Sequence, residues 1–414
     1  MLGTVVSSGG TLELLRHGSA VGYQIESGGT LDVGRDASLS GATVSGGATL
    51  IVSGGEVTST TVLSGGMVEL LHHGRQTDTT FDSGATLELG DKHERLSGFT
   101  AGDGVTLKVL SGGTLIDDTI SSGGSLFIDG RVEVRGTLTD SGTTSIGEGA
   151  VLQTREHATV ILGGSIVNSG TLFARTHRSE IDIVSGATVS GAGTAEIGDG
   201  IVNIQAAGDN QDVVFRKDGH GGLELADTAA NPTAFGGTVS GFGTGHKQFI
   251  ELTRVTSNSS VSLDYASNGS SSGVLTVSSG GSVVASINMS GSFTTSSFHL
   301  GSGSGGTVEI FSRPNHDDPD SDKDDSDVGK TAVSNHKQLS DRAASFAGTV
   351  AGTAHDVSHD QTTTDTNGTD LGSTARLANY MASTFPDQGD GNSNQAIADP
   401  GQSTTQQSFL TNPH

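Results

Sequence analysis

Cysteine and tryptophan are absent from these 414 residues, and aromatic side chains make up only 4% of them. Without cysteine there are no disulfides, thiolate metal ligands or cysteine nucleophiles, a state that fits a chain crossing a bacterial envelope unfolded. With three tyrosines and no tryptophan, platforms for stacking sugars are scarce. Basic residues are also few, 21 against 46 acidic ones, for a net charge of -25. That balance disfavours nucleic acid and anionic lipid as partners, since both attract clustered Lys and Arg. No run approaches the roughly 20 apolar residues of a membrane helix. The opening Met1-Leu2-Gly3-Thr4-Val5 has neither the cationic start nor the apolar stretch of an export leader. Hydrophobic residues reach only 32%, which with this charge predicts disorder unless the apolar positions are specially arranged.

They are. Glycine is abundant, at 64 residues, and Ser-Gly-Gly or a close variant begins at Ser8, Ser27, Ser45, Ser64, Ser83, Asp103 and Ser122. The steps are 19, 18, 19, 19, 20 and 19 residues, and a repeat of this kind decides the fold. After each turn comes an apolar–any–apolar triplet: Leu12–Leu14, Leu31–Val33, Leu50–Val52, Val68–Leu70, Leu87–Leu89, Leu107–Val109 and Leu126–Ile128. Five of the seven middle residues are charged, namely Glu13, Asp32, Glu69, Glu88 and Lys108. This alternation marks a strand with one face in a core and one in water. A shorter apolar element precedes each glycine pair at Val5-Val6, Ile25, Val44, Val62, Phe81 and Ile120. A second glycine falls near mid-repeat, at Gly18, Gly34, Gly54, Gly74, Gly90, Gly112 and Gly130. Each unit therefore reads as turn, strand, turn, strand. One unit cannot bury its two or three apolar residues, but stacked units can, each Leu or Val lying over its counterpart. The fold class is all-β, a parallel β-solenoid (β-helix) of ~19-residue coils, with a β-rich C-terminal cap and a disordered acidic tail.

Beyond Ser141 the period loosens but persists to Ile204, so residues 1–204 form the repeat region, about ten coils and roughly 50 Å of rod. Longer elements follow, among them Phe249–Leu252, Val274–Val277 and Val283–Ile287, with hairpin-type turns at Asn268-Gly269 and Ser279-Gly280-Gly281. Residues 205–312 are expected to cap the solenoid, because an open end invites sheet growth. Residues 313–414 carry 15 acidic against 6 basic side chains with long polar runs, and read as disordered. Within them a short helix is expected near 373–385, capped by Ser373 and stopped by Pro386, with Leu377, Tyr380, Met381 and Phe385 on one face.

Here the chain resembles a known family. Ser27-Gly28-Gly29-Thr30-Leu31-Asp32-Val33 and Ser111-Gly112-Gly113-Thr114-Leu115, on their 19-residue step, are similar to the repeats of AIDA-type autotransporter adhesin passengers. The resemblance covers residues 1 to about 200. Residues 212–311 resemble a C-terminal segment of large secreted bacterial repeat proteins. The residues that carry this are Gly221–Asp227, Gly273–Val277 and Ser304–Val308. The family implies extracellular or bacterial cell-surface display, adhesion or aggregation, and in some members glycosylated Ser and Thr. Two departures matter: no export leader opens the chain, and no run of alternating strands able to form an outer-membrane barrel closes it. Export through a dedicated channel that reads the C-terminal region is therefore expected.

Residues with chemistry to offer are thinly spread. Gly301-Ser302-Gly303-Ser304-Gly305-Gly306 matches a dinucleotide fingerprint in letters, but a β-type run follows it where a helix should begin. The acidic run Asp317–Asp327 lacks the Gly and Glu of a calcium loop and reads as a solvated linker. His72-His73, His93 near Asp91 and Glu94, and His157 beside Glu156 fall at mid-repeat corners, as solvated loop histidines. Asp117-Asp118 and Asp91/Glu94 are the acid pairs nearest to a catalytic constellation, and the spacing puts them two coils apart or more. No catalytic, cofactor or metal residue is therefore assigned, and no cofactor is expected. The chain reads as a non-enzymatic adhesive or structural surface protein acting through outward Ser and Thr in many weak contacts. Its partners would be host or bacterial surface glycans and proteins, or other rods of its own kind. The alternative is a secreted β-helical lyase or hydrolase acting on polysaccharide, which needs convergent charged side chains in a groove.

Overall fold

Each corner glycine does two jobs in the coil. It holds a left-handed backbone angle that other residues adopt at a cost, and it leaves room for the coil stacked against it. Gly104 has φ +71°, and a Cβ there would lie 3.0 Å from the Ser83 Cβ and closer still to its hydroxyl. Successive corner glycines are bonded directly: the Gly28 N–H donates to the Gly47 carbonyl at 2.8 Å, and the Gly84 N–H to that of Gly104 at 2.8 Å. The corner file runs through Gly28, Gly47 and Gly65. It therefore passes through the second glycine of Ser45-Gly46-Gly47, where the motif alone points to the first.

The computed structural model describes residues 3–312 apart from positions 111, 246 and 304. It is a parallel β-solenoid of about 12 turns with ~19 residues per turn. The Leu/Val triplets stack in the expected register: Leu12 pairs with Leu31, Leu31 with Leu50, Leu50 with Val68, Val68 with Leu87, Leu87 with Leu107 and Leu107 with Leu126. From Leu31 onward every member of this file is wholly buried. Val6, Ile25, Val44, Val62 and Phe81 form a second file in the same way.

The two-strand reading of a coil needs correction, because the early coils lay down three strands on three sheets. One coil supplies Thr30–Val33, Ser38–Ser40 and Thr43–Val44. The strand missed in the sequence is three residues long and turns one residue inward: Ala20, Leu39, Val57, Gln76 or Leu96. A single inward residue has no period, so alternation cannot find it. Further on, the two short strands fuse into Thr114–Ile120 and Arg131–Asp140, then part again as Val151–Thr154 and Thr159–Leu162.

Parallel pairing carries on past Ile204, through Asp212–Phe215 and Gly222–Leu225 to Phe249–Leu252. It then gives way to antiparallel pairs. Val261–Ser267, Ser272–Ser279 and Ser282–Ser290 form a meander, turned at Gly280 and Gly281 with φ +60° and +86°. Thr307–Ser312 pairs antiparallel with both Phe249–Thr256 and Phe298–Ser302. Rings of Phe215, Phe242, Phe298, Phe293 and Tyr265 pack together here, Phe242 stacked on Phe298 and the other pairs edge to face or tilted. The tail expected at 313–414, its helix near 373–385 and the acidic run 317–327 lie outside the described residues.

Candidate functional site

An in-register parallel stack puts the same outward position of every coil in one straight rank, about 4.8 Å apart. On the ten-stranded sheet the first outward rank is Thr11, Thr30, Thr49, Met67, Thr86, Thr106, Ser125, Thr143, Ser165 and Thr188. All but Met67 carry a hydroxyl, and all are at least partly exposed. Two residues along each strand lies a second rank, Glu13, Asp32, Ile51, Glu69, Glu88, Lys108, Phe127, Ser145, Val167 and Ser190. Its charged members all lie in the first six strands, and Phe127, Ser145, Val167 and Ser190 follow. Partial burial, then the neighbouring Glu88, hold the Glu69 carboxyl above its ordinary range, and Lys108 Nζ lies 2.8 Å from Glu88 Oε2. A further threonine rank, Thr100, Thr119 and Thr139, follows on the adjoining sheet. Each hydroxyl can donate one hydrogen bond and accept two, so these ranks offer a ladder of weak, repeated sites.

The residues singled out in the sequence are placed as follows. His72, His73, His93 and His157 sit at corners with positive φ. His72 Nε2 is 3.4 Å from Asp91 Oδ2, the histidine well exposed and the aspartate partly so. Glu94 is not exposed: it turns inward and accepts the His73 backbone N–H at 2.5 Å, and burial raises its carboxyl. It fastens a corner. Asp118 does the same, accepting the Phe99 and Ile116 N–H groups at 2.8 Å each. Burial pushes its carboxyl up to about 6. Asp117, with φ +56°, accepts the Thr137 N–H at 2.9 Å. The two acid pairs lie in adjacent coils, not two or more apart, because Arg95–Ser97 pairs directly with Thr114–Ile116. In both pairs the buried carboxylate is spent on backbone N–H groups rather than aimed into a cleft. Among the described residues no three His, Asp or Glu are grouped to hold a metal ion.

The glycine-rich stretch joins the antiparallel strands Phe298–Ser302 and Thr307–Ser312, and the Gly303 N–H donates to the Thr307 carbonyl at 2.9 Å. No helix N-terminus is there to meet a phosphate. A cleft of about 340 Å³ among Thr228, Arg254, Thr256, Asn258 and Ser279 is lined by no carboxylate.

The sequence reading missed a stripe of polar residues that point outward yet are buried. Asp182, Asn203, Glu224, Glu251 and Glu309 are register neighbours, one on each of five successive strands, and none is more than 8% exposed. Asn203 Nδ2 donates to Asp182 Oδ1 at 3.0 Å, and the Thr307 hydroxyl donates to Glu251. In letters, Ile181-Asp182-Ile183 and Leu223-Glu224-Leu225 look like any exposed repeat strand, so alternation alone gives no signal.

Fold and surface together define a β-solenoid whose distinctive outer feature is a set of aligned hydroxyl ranks. No family model and no curated protein matches the chain. Among solved structures it is similar to a crystal structure of a hyper-glycosylated TibA fragment, residues 55–350, produced with TibC. That match has 19% identity and a TM-score of 0.34, over 60% of this chain and 92% of that one. No helix among the described residues is long and apolar enough to cross a membrane.

Proposed function

We propose that this chain is a secreted or surface-displayed adhesive protein, acting in adhesion, autoaggregation or biofilm through many weak contacts along its coils. The observation that carries the reading is the hydroxyl rank, nine Thr or Ser in ten strands on one straight line. Contacts that are weak singly add through effective concentration when they are repeated on a rigid spacing. Hydroxyls suit glycans, polar protein surfaces or the same rank on a second copy. The resemblance of the repeat to AIDA-type passengers points the same way. The division into coils at 1–204, a cap at 205–312 and a tail at 313–414 that serves secretion belongs to this proposal.

The test is cell adhesion or self-aggregation of displayed variants. Gly65 and Gly84 are register mates, so deleting residues 66–84 removes one coil in register. Each such deletion is expected to weaken binding by a step, while single substitutions of His93, Asp117 or Glu156 leave it nearly unchanged. Abolition by one of those substitutions, with coil deletions silent, would replace this reading by a discrete active site.

A further inference from the structure

An arginine follows one inward residue in four of five successive coils. Val134, Thr154, Ala174, Ile197 and Phe215 stack as a buried file, and the residues after them are Arg135, Arg155, Arg175, Gly198 and Arg216. The Arg155 N–H donates to the Val134 carbonyl at 3.0 Å, and the Arg216 N–H to that of Ile197 at 2.8 Å. The arginines are thereby held in register themselves, at about 4.8 Å per coil. All four point outward and are exposed or half-buried. The place of Gly198 is kept open, since a Cβ there would lie 3.3 Å from the Phe173 ring. The Arg216 guanidinium reaches over that ring, its Cζ 5.0 Å from the centroid.

Like charges side by side on adjacent strands are unfavourable, and the carboxylates at hand answer only part of this file. Arg155 Nη2 donates to Glu133, Arg135 Nη2 lies 3.7 Å from the same carboxylate, and Arg216 Nη2 lies 2.6 Å from Glu196 Oε2. Burial alone would raise the Glu133 carboxyl, but the Arg155 hydrogen bond and the charges of Arg155 and Arg135 hold it below its ordinary range. One carboxylate thus serves two arginines. Arg175 forms no ion pair among the described residues, and neither do Arg178 and Lys217 at the corner that follows. Glu156, Asp199 and Asp218 share that corner, with Asp199 Oδ1 3.2 Å from His220 Nδ1. Seven of the 15 Lys and Arg among the described residues fall between Arg131 and Lys217, so this part of the rod departs from the acidic balance of the chain.

We infer that this arginine file binds a linear anionic polysaccharide laid along the rod, its carboxylate or sulfate groups meeting successive guanidinium groups. A pyranose chain repeats on a step close to that of the coils. Each guanidinium presents five N–H donors in a planar fork that suits either anion, and contacts repeated at one step add along the chain. Thr171 and Thr194, half-buried register mates on the same face, place hydroxyls beside the file for those of the sugar. A nucleic acid fits less well, because its phosphates are more densely charged and Glu133, Glu196 and Asp212 share this face. The inference gives the adhesive reading a ligand class, and rests on that reading only for where such a glycan is met.

The test is titration calorimetry of residues 1–414 with polygalacturonate, dextran sulfate, uncharged dextran and a DNA oligonucleotide matched in charge. At least one anionic polysaccharide is expected to bind and dextran is not, the two anionic arms telling carboxylate from sulfate. Affinity should fall as salt is raised from about 0.05 to about 0.5 M, because exposed charges are then screened. An Arg135→Gln, Arg175→Gln variant should bind about tenfold or more weakly, since two charge-assisted contacts are lost. Arg16→Gln, Arg35→Gln removes the same charge at a distant corner and should stay within about twofold, its charges being screened at that range. Circular dichroism checks the fold of both variants. In the unaltered chain the bound polysaccharide should also raise the unfolding midpoint, a readout that needs no variant. No binding of either anionic polysaccharide at about 0.05 M salt overturns the proposal. So does equal weakening by the two variants, or DNA bound as tightly as the polysaccharides. Adhesion that still falls with each coil deleted, while neither polysaccharide binds, sinks the arginine strip and spares the adhesive reading. Polysaccharide binding with adhesion indifferent to coil number does the reverse.

Discussion

The first seven strands of the ten-stranded sheet and its last three are stacked by the same ladder, but only the first seven keep both inward positions apolar. From Thr11–Leu14 to Ser125–Asp129 the inward residues are Leu, Val or Ile. Then Thr144 takes the place of Leu126, and Asn168 the place of Ile146. Each polar residue comes with a buried partner: the Thr144 hydroxyl donates to Asp140, and Asn168 Nδ2 to Gln211 Oε1 at 3.2 Å. The coil lengthens at the same place. Register mates Ser125 and Thr143 are 18 residues apart, Thr143 and Ser165 are 22, and Ser165 and Thr188 are 23. A uniform apolar file thus goes with a nearly uniform period; Thr144 finds its partner within an 18-residue coil, and the longer coils come with Asn168 and beyond.

The sharpest way to break this comparison is to put a charge in the uniform part. Leu107 is wholly buried, and Phe127, in the next strand of the same sheet, is 44% exposed. Leu107→Asp is expected to cost about 4 kcal/mol or more, since an unpaired carboxylate replaces a stacked apolar residue. Phe127→Asp should stay within about 1 kcal/mol. Thermal unfolding followed by circular dichroism separates them, and equal midpoints would mean that inward and outward have been exchanged.

The buried carboxyls, which occur in both parts, should answer to pH instead. Burial raises the carboxyls of Asp118 and Asp227 to about 6 and lifts those of Asp140 and Asp209. A folded-state value above the unfolded one means that the native state holds its proton more tightly. That contribution is complete below about pH 3.9 and is lost as pH rises through about 6. Asp118 and Asp227 should each contribute roughly 2–3 kcal/mol more stability at pH 4 than at pH 7.5. Asp118→Asn should flatten the profile by about one proton while keeping an acceptor for the Phe99 N–H. A denaturant midpoint that does not move between pH 4 and 7.5 would show these carboxyls to be solvated.

How much of this could be read in the sequence follows from how often each signal is repeated. The Leu/Val file was legible because the triplet recurs at nearly one offset, and its registers came out residue for residue. The Thr and Ser outside it were legible by the same alternation. The third strand was not, because one inward residue per coil has no period. The Gly47 register was not, because Ser45-Gly46-Gly47-Ala48 fits the motif in one frame and the stack in another. The buried stripe from Asp182 to Glu309 was hidden for a third reason: alternation tells which side of a sheet a residue faces, not whether another segment lies over that side. Glu94 and Asp118 belong to the acid pairs that in the sequence come nearest to a catalytic constellation, and the backbone N–H groups folded against them show their work to be structural.

The smallest expected effect tests the comparison between neighbours. Thr143 and Thr144 are consecutive, one in the outward hydroxyl rank and the other buried over Asp140. Thr143→Val should change stability by less than about 0.5 kcal/mol, because it loses only solvent-facing hydrogen bonds on a strand that favours β-branched residues. Thr144→Val keeps the shape but removes a donor from a buried carboxyl, leaving the Gly142 N–H at 2.7 Å as its remaining hydrogen-bond donor in the described structure. The expected loss is about 1–3 kcal/mol. It should also depend on pH in a set direction. Burial raises the Asp140 carboxyl, and the Thr144 hydrogen bond pulls it back down by favouring the charged form. That hydrogen bond therefore contributes above the carboxyl's own titration and fades below it, so the penalty of Thr144→Val should shrink on acidification while that of Thr143→Val stays flat. Equal, pH-independent effects for the two would mean that Asp140 draws nothing from the threonine beside it.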